Sequence, residues 1–219
     1  MSRPIVGRMQ SHGVSTVTTV DVLGTPIQPG KILCVGKNYA AHIDEMGGAV
    51  PDDMVVFMKP ASAVTDTLHA ALGETLHYET EICLLIRDDK VAAVGLGLDL
   101  TKRDLQGRLK QAGLPWERSK AFDGSALFSG FVAAPISLSN LLLELWVDGE
   151  LRQRGGSEQM LYRPATILDE LRTFVTLNDN DIIMTGTPAG VGPVQAGEHF
   201  EARLLNGNEE LVNVGWMAV

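Results

Sequence analysis

The sequence contains no uninterrupted apolar run approaching the roughly 18 residues that a membrane-spanning helix requires. Its first residues, "MSRPIVGRMQSHG", also lack the continuous apolar centre of a secretory signal. A cytoplasmic protein is therefore expected. Basic charge is scarce: 18 Lys and Arg stand against 27 Asp and Glu, for a net charge of −9. Without a clustered excess of cations, a nucleic-acid-binding or anionic-membrane surface is disfavoured. Cysteine is scarcer still. Cys34 and Cys83 both sit in apolar, strand-like runs, which reads as two buried free thiols rather than a disulfide framework, and no zinc-ligand spacing occurs. Internal repeats, low-complexity tracts and long linkers are absent as well.

What is present is enough apolar material, 45% of 219 residues, to bury a full core in one domain of generous size. The 23 glycines and 10 prolines are spread evenly, as a β-rich chain with many turns requires. "KILCVG" and "MVVFMKP" read as strands, and "YAAHIDEMGG" as a short helix closed by glycine. "LELWVDGELRQR" signals a hairpin around Asp148-Gly149, and "LLNGNEELVNVGW" repeats that logic around Asn206-Gly207. "RPATILDELRTFV" places Ile167, Leu168, Leu171, Phe174 and Val175 on one helical face, with Pro164 suited to the first turn. Strands outnumber the short helices, so a mixed α/β, β-rich domain is expected.

The stretch "HYETEICLLI" begins an apolar strand with Glu79 and Glu81, two residues apart and hence on one face. Two like charges held there repel and call for a compensating partner. The following "RDDK" sits between two apolar runs, so a hairpin centred near Asp89 brings Asp99 opposite Glu79 and diagonal to Glu81. Opposed residues share a face at about 5 Å between Cβ atoms, and a slip of one would separate them. Either these are solvent-facing acids on an edge strand, or three carboxylates converge on an all-oxygen site. Such a site selects hard cations, magnesium or manganese first and calcium next.

Other residues carry similar double readings. His42 and Glu45 lie at i and i+3 of the short helix, where a glutamate can fix the imidazole tautomer and raise its basicity, or where the two simply neighbour each other on a surface. The glycines that follow, Gly47-Gly48, suit a lid that stands open without ligand. Arg103 is built for a bidentate carboxylate contact, or for a salt bridge to Asp104 or Glu117. Lys120, flanked by charged residues in "ERSKAFDGS", is compatible with plain solvation. "TGTPAGVG" lacks the Gly-Lys-Ser/Thr of a phosphate loop and reads as a turn that presents the Thr187 hydroxyl and backbone amides to a substrate carboxylate.

Taken in order, "VGKNYAAHIDEMG", "MVVFMKPASAV", "YETE", "LDLTKRDLQ", "SKAFDGS" and "MTGTPAGVG" resemble the fumarylacetoacetate hydrolase family over about residues 31–205. The resemblance implies the family's β-sandwich roll with short helices, usually a homodimer, with residues 1–30 as an N-terminal β segment packing on a catalytic domain of residues 31–219. It implies Glu79, Glu81 and Asp99 as metal ligands for Mg2+, with Mn2+ or Ca2+ as substitutes. His42 and Glu45 become a catalytic dyad, Lys120 a catalytic and substrate-binding residue, and Arg103, Gln106 and Thr187 substrate-binding residues. The implied chemistry is a metal-bound enolate of a 2-oxo acid, leading first to hydrolytic carbon–carbon cleavage of an acylpyruvate or fumarylpyruvate-type substrate. Oxaloacetate tautomerisation or decarboxylation and 2-hydroxyhepta-2,4-diene-1,7-dioate isomerisation are the alternatives, and a 2-oxo acid binding protein without turnover is the alternative from another class. The segment "LDLTKRDLQGRLKQAGLPWERSKAFDGS" is similar to the bacterial branch linked to oxaloacetate tautomerase activity. Two departures stand out: a tight connection replaces the helical insertion that many relatives carry between Glu81 and Asp99, and Leu98 occupies the position of a frequent Asn.

Overall fold

In a computed structural model that describes residues 19–219, the apolar runs pair into two large packed sheets, accompanied by the small sheet of Gly192–Pro193, Leu76–Tyr78 and Thr101–Lys102 and by a two-stranded hairpin. The reading of the first residues as free of a secretory signal falls on residues 1–18 and lies outside the described residues. The large sheet runs in the order Val55–Lys59, Ile32–Gly36, Ile182–Met184, Thr80–Arg87, Lys90–Asp99, Ala126–Phe128 and Val64–Thr65, with Val132–Ala133 also on Lys90–Asp99. The second sheet is antiparallel: Glu150–Gly156, Leu141–Val147, His199–Asn206 and Glu209–Met217.

The two sheets differ in pattern because they differ in burial. Thr80–Arg87 is covered on both faces, so its sequence is a continuous apolar run rather than an alternation. Ile82, Leu84 and Ile86 point into the core shared with Leu141, Leu143, Leu145, Phe200 and Leu204 of the second sheet. Cys83 and Leu85 face a second cluster with Cys34, Ile182, Met184 and Phe131. Both cysteines are buried free thiols, as expected. Leu98 is fully buried in the intersheet core opposite Thr80. Leu141–Val147 covers only one face with core, and its residues alternate buried and half-buried.

Turn chemistry fixes the registers. Asp148 and Gly149, at φ 50° and 79°, form the expected two-residue hairpin loop. The C-terminal hairpin closes one residue later than the sequence suggests. Its loop is Gly207–Asn208, with Gly207 at φ 62°, which lets Asn206 pair with Glu209. In the central hairpin, Asp88 and Asp89 take φ 49° and 56°, and Arg87 pairs with Lys90. Continued unbroken, that register would set Asp99 opposite Tyr78, on the wrong face. A bulge between Leu85 and Ile86 shifts the ladder by one, so that Glu81 pairs with Gly97 and the Asp99 amide donates to the Glu79 carbonyl at 2.8 Å. The expected pairing is met, and the bulge is its cause.

The described residues form four α-helices: α1 (Ala40–Glu45), α2 (Arg103–Gln111), α3 (Glu117–Lys120) and α4 (Pro164–Arg172). In α4, Ile167 and Leu171 are fully buried and Pro164 occupies the first turn, but the helix stops at Arg172. Phe174, expected on the buried face, therefore leaves the helical period and stands 56% exposed. At the other end of the chain the short hairpin Val20–Val22/Thr25–Ile27 buries Val20 and Val22 beside Phe131 and exchanges backbone hydrogen bonds with it. No helix among the described residues is long and apolar enough to cross a membrane.

Candidate active site

Glu79 sits between the strands Leu76–Tyr78 and Thr80–Arg87, Glu81 one step into the latter, and Asp99 at the end of Lys90–Asp99. One carboxylate oxygen from each lies within 4.8 Å of the other two, and all three residues are buried. They are not solvent-facing acids. Asp99 and Glu79 are surrounded by cations. Lys120 Nζ donates to Glu79 Oε2 and Asp99 Oδ2 at 2.7 Å each, and to Thr101 Oγ1 at 2.6 Å. Arg103 donates to Glu79 Oε1 at 2.5 Å and to Gln106 Oε1 at 2.9 Å, which replaces the expected salt bridge to Asp104 or Glu117. Lys59, fully buried on the edge strand, stands 2.8 Å from Asp99 Oδ1 and donates to the Lys120 carbonyl.

Glu81 has no such neighbour. Its partner is the Gly186 amide, at 2.6 Å. The electrostatics follow. Burial would raise the Glu79 carboxyl, but the charges of Lys120, Arg103 and His42 outweigh it and hold Glu79 well below the ordinary carboxylate range. For Glu81, burial and the charges of Asp99 and Glu79 all push upward, and it is raised well above that range. Lys120 is raised: burial would lower it, but Asp99 and Glu79 prevail. Asp99 Oδ1 is ion-paired by distance, yet no donor is aligned on it for a hydrogen bond. An all-oxygen donor set with one uncompensated carboxylate and one orphaned oxygen fits a hard divalent cation.

The Gly-rich loop serves this centre differently from what its sequence suggests. Thr187 lines the cavity, but its hydroxyl donates to the Thr80 carbonyl at 2.9 Å and accepts from Gln153 Nε2 at 2.8 Å. The hydroxyl is thus a brace between two strands, because a buried O–H takes the nearest strong acceptor. The loop amides turn toward protein carboxylates: Gly186 to Glu81, and Gly190 to Glu45 at 3.1 and 3.2 Å. Gly190, at φ 100°, has no alternative, since a Cβ there would fall 1.8 Å from the Arg152 carbonyl oxygen.

Through Glu45 the loop also reaches the helix α1. His42 Nδ1 is 3.2 Å from Glu45 Oε2, so the two do face each other and hold the imidazole with Nε2 as its second nitrogen. The helix lines the cavity with His42 and Ile43, both buried, and Gly48 just beyond its end lines it as well. The cavity encloses about 560 Å³ including its opening, with the three acids, His42, Arg103, Gln106 and Lys120 on its wall.

Two residues of the site escaped the sequence reading. Lys59 is the one charged residue in "MVVFMKP", and a lysine inside an apolar strand needs a buried partner, which was the available signal. Gln153 gives no local signal. It is buried on the second sheet, accepts from the Thr80 amide and donates to Thr187 and the Pro188 carbonyl, a role visible only once the sheets are packed.

Comparisons with known proteins agree with this geometry. The family model described as fumarylacetoacetate (FAA) hydrolase C-terminal matches residues 31–214. The chain is 41% identical to oxaloacetate tautomerase YcgM of Escherichia coli over 189 residues, covering 78% of this chain and 86% of that protein. It is 37% identical to the mitochondrial oxaloacetate tautomerase FAHD1 of Arabidopsis thaliana, covering 83% and 89% respectively. The crystal structure of fumarylpyruvate hydrolase from Pseudomonas aeruginosa, in complex with Mn2+ and pyruvate, superposes with a TM-score of 0.83 at 32% identity, covering 94% of this chain and 97% of that one.

Proposed function

The chain belongs to the fumarylacetoacetate hydrolase family of enzymes acting on small 2-oxo acids, and we propose that it is a divalent-metal-dependent oxaloacetate keto–enol tautomerase. The observation that carries this reading is the buried Glu79, Glu81 and Asp99 cluster, with Glu81 uncompensated, in one cavity with His42 and Lys120. The named relatives supply the reaction: tautomerases at 37–41% identity. We read residues 31–219 as one catalytic unit on which the hairpin of residues 20–27 packs.

Magnesium held by the three carboxylates, with manganese or calcium as substitutes, would polarise the carboxylate and keto oxygens of a 2-oxo acid. The chain's own residues do the rest. Arg103, whose Nε lacks a hydrogen-bond partner, and Gln106 orient the substrate carboxylate. His42, its Nδ1–H engaged by Glu45, offers Nε2 as the base that removes a proton from the carbon beside the keto group. Lys120 stabilises charge developing on the keto oxygen. The proton that His42 Nε2 takes from carbon is returned to that oxygen, so an O–H bond replaces the C–H bond and the enol forms; the reverse transfer regenerates the ketone.

The His42–Glu45 pair also supports a second reading. The same base can activate water for attack on the distal carbonyl of an acylpyruvate, with hydrolytic carbon–carbon cleavage as the outcome. The test is an assay of purified protein with Mg2+ on enol-oxaloacetate, acetylpyruvate and fumarylpyruvate, repeated after chelation. Chelation should abolish turnover, and His42→Ala should lower it by about two to four powers of ten. Undiminished turnover in metal-stripped protein would sink the metal-dependent mechanism. Oxalate binding without turnover of any of the three substrates would make the protein a binding module.

A further inference from the structure

The floor of the cavity is the acidic cluster with its paired cations, and two more lysines line the same cavity outside that cluster. Lys120 is ion-paired to Glu79 and Asp99, and Arg103 to Glu79. Lys37 and Lys110 are not: among the described residues neither forms an ion pair with a carboxylate. Lys110 is exposed and Lys37 half-buried, against full burial of the acids, so both lie toward the solvent end. On a chain of net charge −9, two unpaired cations at the opening of an acid-floored cavity ask for an anion.

Their placement gives that anion a position. Arg103, Gln106 and Lys110 stand at i, i+3 and i+7 of α2 and form one helical stripe along the cavity wall. Seven residues of helix advance about 10 Å, and helical side chains lean back toward the N-terminus, so Lys110 reaches from the opening toward the Arg103 end. Its ammonium lies over the Trp116 ring, 4.8 Å from the centroid, which gives the side chain a defined rest position. Lys37 approaches from the other wall, before α1, where its Nζ is 3.5 Å from the Ala49 carbonyl. Its backbone is left-handed, at φ 57°, where glycine would cost less.

We infer that Lys37 and Lys110 receive the distal carboxylate of the dicarboxylic substrate, and so are the residues by which the enzyme discriminates it from an acyl substrate with a neutral tail. The inference rests on the proposed function, because the other end of the substrate is placed by the acidic cluster. Burial and Arg103 push Lys110 below its ordinary pKa, Glu79 pulls it upward, and Lys120 and Lys37 add to the depression. The cations of this cavity thus repel one another, and a second carboxylate would relieve that repulsion. A monocarboxylic substrate would leave it in place.

The test uses ligands that differ only in the distal group, 2-oxoglutarate and 2-oxopentanoate, titrated calorimetrically into Mg2+-loaded protein. The native chain should prefer 2-oxoglutarate. Lys37→Met and Lys110→Met should each weaken it by about tenfold, the scale of one charge-assisted hydrogen bond, with 2-oxopentanoate affected at least tenfold less in the double variant. In turnover, the double variant should raise KM for oxaloacetate far more than it lowers kcat, because the contact is remote from the reacting carbon. Equal binding of the two ligands by the native chain, or equal losses in the variants, overturns the inference. Oxalate, which has no distal arm, separates the two levels. If oxalate fails to bind with Mg2+, the proposed function falls; if it binds and the longer pair is not discriminated, only the role of the two lysines falls.

Discussion

Glu81→Gln should make the metal-free protein more stable while removing its response to metal. Glu81 is 2% exposed, has no cationic partner, and shares its volume with Glu79 and Asp99. Glutamine keeps the side-chain shape, and its amide oxygen can still accept from the Gly186 amide, so the main change is removal of a carboxyl whose ionisation burial and its acidic neighbours oppose. Desolvating a charged group without a compensating ion costs upwards of roughly 1–3 kcal/mol. For a chain of 219 residues, each kcal/mol recovered corresponds to about 2–4 °C in Tm. The pH dependence fixes the sign. The folded pKa of Glu81 is raised above its ordinary 4.5, so its protonation favours the folded state. The native side chain therefore carries no penalty below the unfolded value, and the penalty grows as pH rises toward the folded value. The advantage of the variant should accordingly be absent in acid and open as pH rises above about 4.5. The assay is thermal unfolding in chelator and in a Mg2+ series at several pH values. Mg2+ at a hundred times its Kd should stabilise the native chain by about 2.7 kcal/mol, and the variant hardly at all. A variant that is less stable than the native chain in chelator at neutral pH, or that gains equally from Mg2+, would refute the argument.

Lys120→Met should slow turnover by two to three powers of ten, the loss of about 3–4 kcal/mol from one strong donor at a developing oxyanion. Calorimetry should show Mg2+ affinity undiminished, because the ammonium that occupies Glu79 and Asp99 has gone; a parallel loss of metal affinity would make Lys120 structural. Gly190→Ala should cost roughly 2 kcal/mol or more, since its Cβ meets the Arg152 carbonyl on a left-handed backbone, whereas Gly197→Ala, at φ 91° in open space, should cost only the backbone strain of about 1 kcal/mol. Denaturant unfolding separates the two, and equal losses would mean that the close approach is unimportant. The Gly190 variant should also lose activity, through the displaced amide that holds Glu45.

Features governed by local chemistry could be read along the chain. Asp148-Gly149 fixed one hairpin turn and Pro164 one helix start, and the continuous apolar run after Glu81 marked a strand buried on both faces. Period-two spacing put Glu79 and Glu81 on one face and antiparallel counting added Asp99, but spacing alone left an exposed acidic edge and a buried all-oxygen site both open, and burial of all three acids decided between them. Relations between segments distant in sequence emerge from packing instead. The bulge at Leu85/Ile86 that brings Asp99 into register leaves no mark in composition. Phe174 left the buried face because α4 ends two residues before it. Thr187 turned from a supposed substrate donor into a brace because Thr80 and Gln153, from two different sheets, reach it first. Lys59, Lys120 and Arg103 became the counter-charges of two acids, while Glu81 was left without one, because folding placed three cations beside Asp99 and Glu79 and a backbone amide beside Glu81. Spacing along a chain fixes faces and turns; which charges meet in low dielectric depends on how the sheets and helices pack.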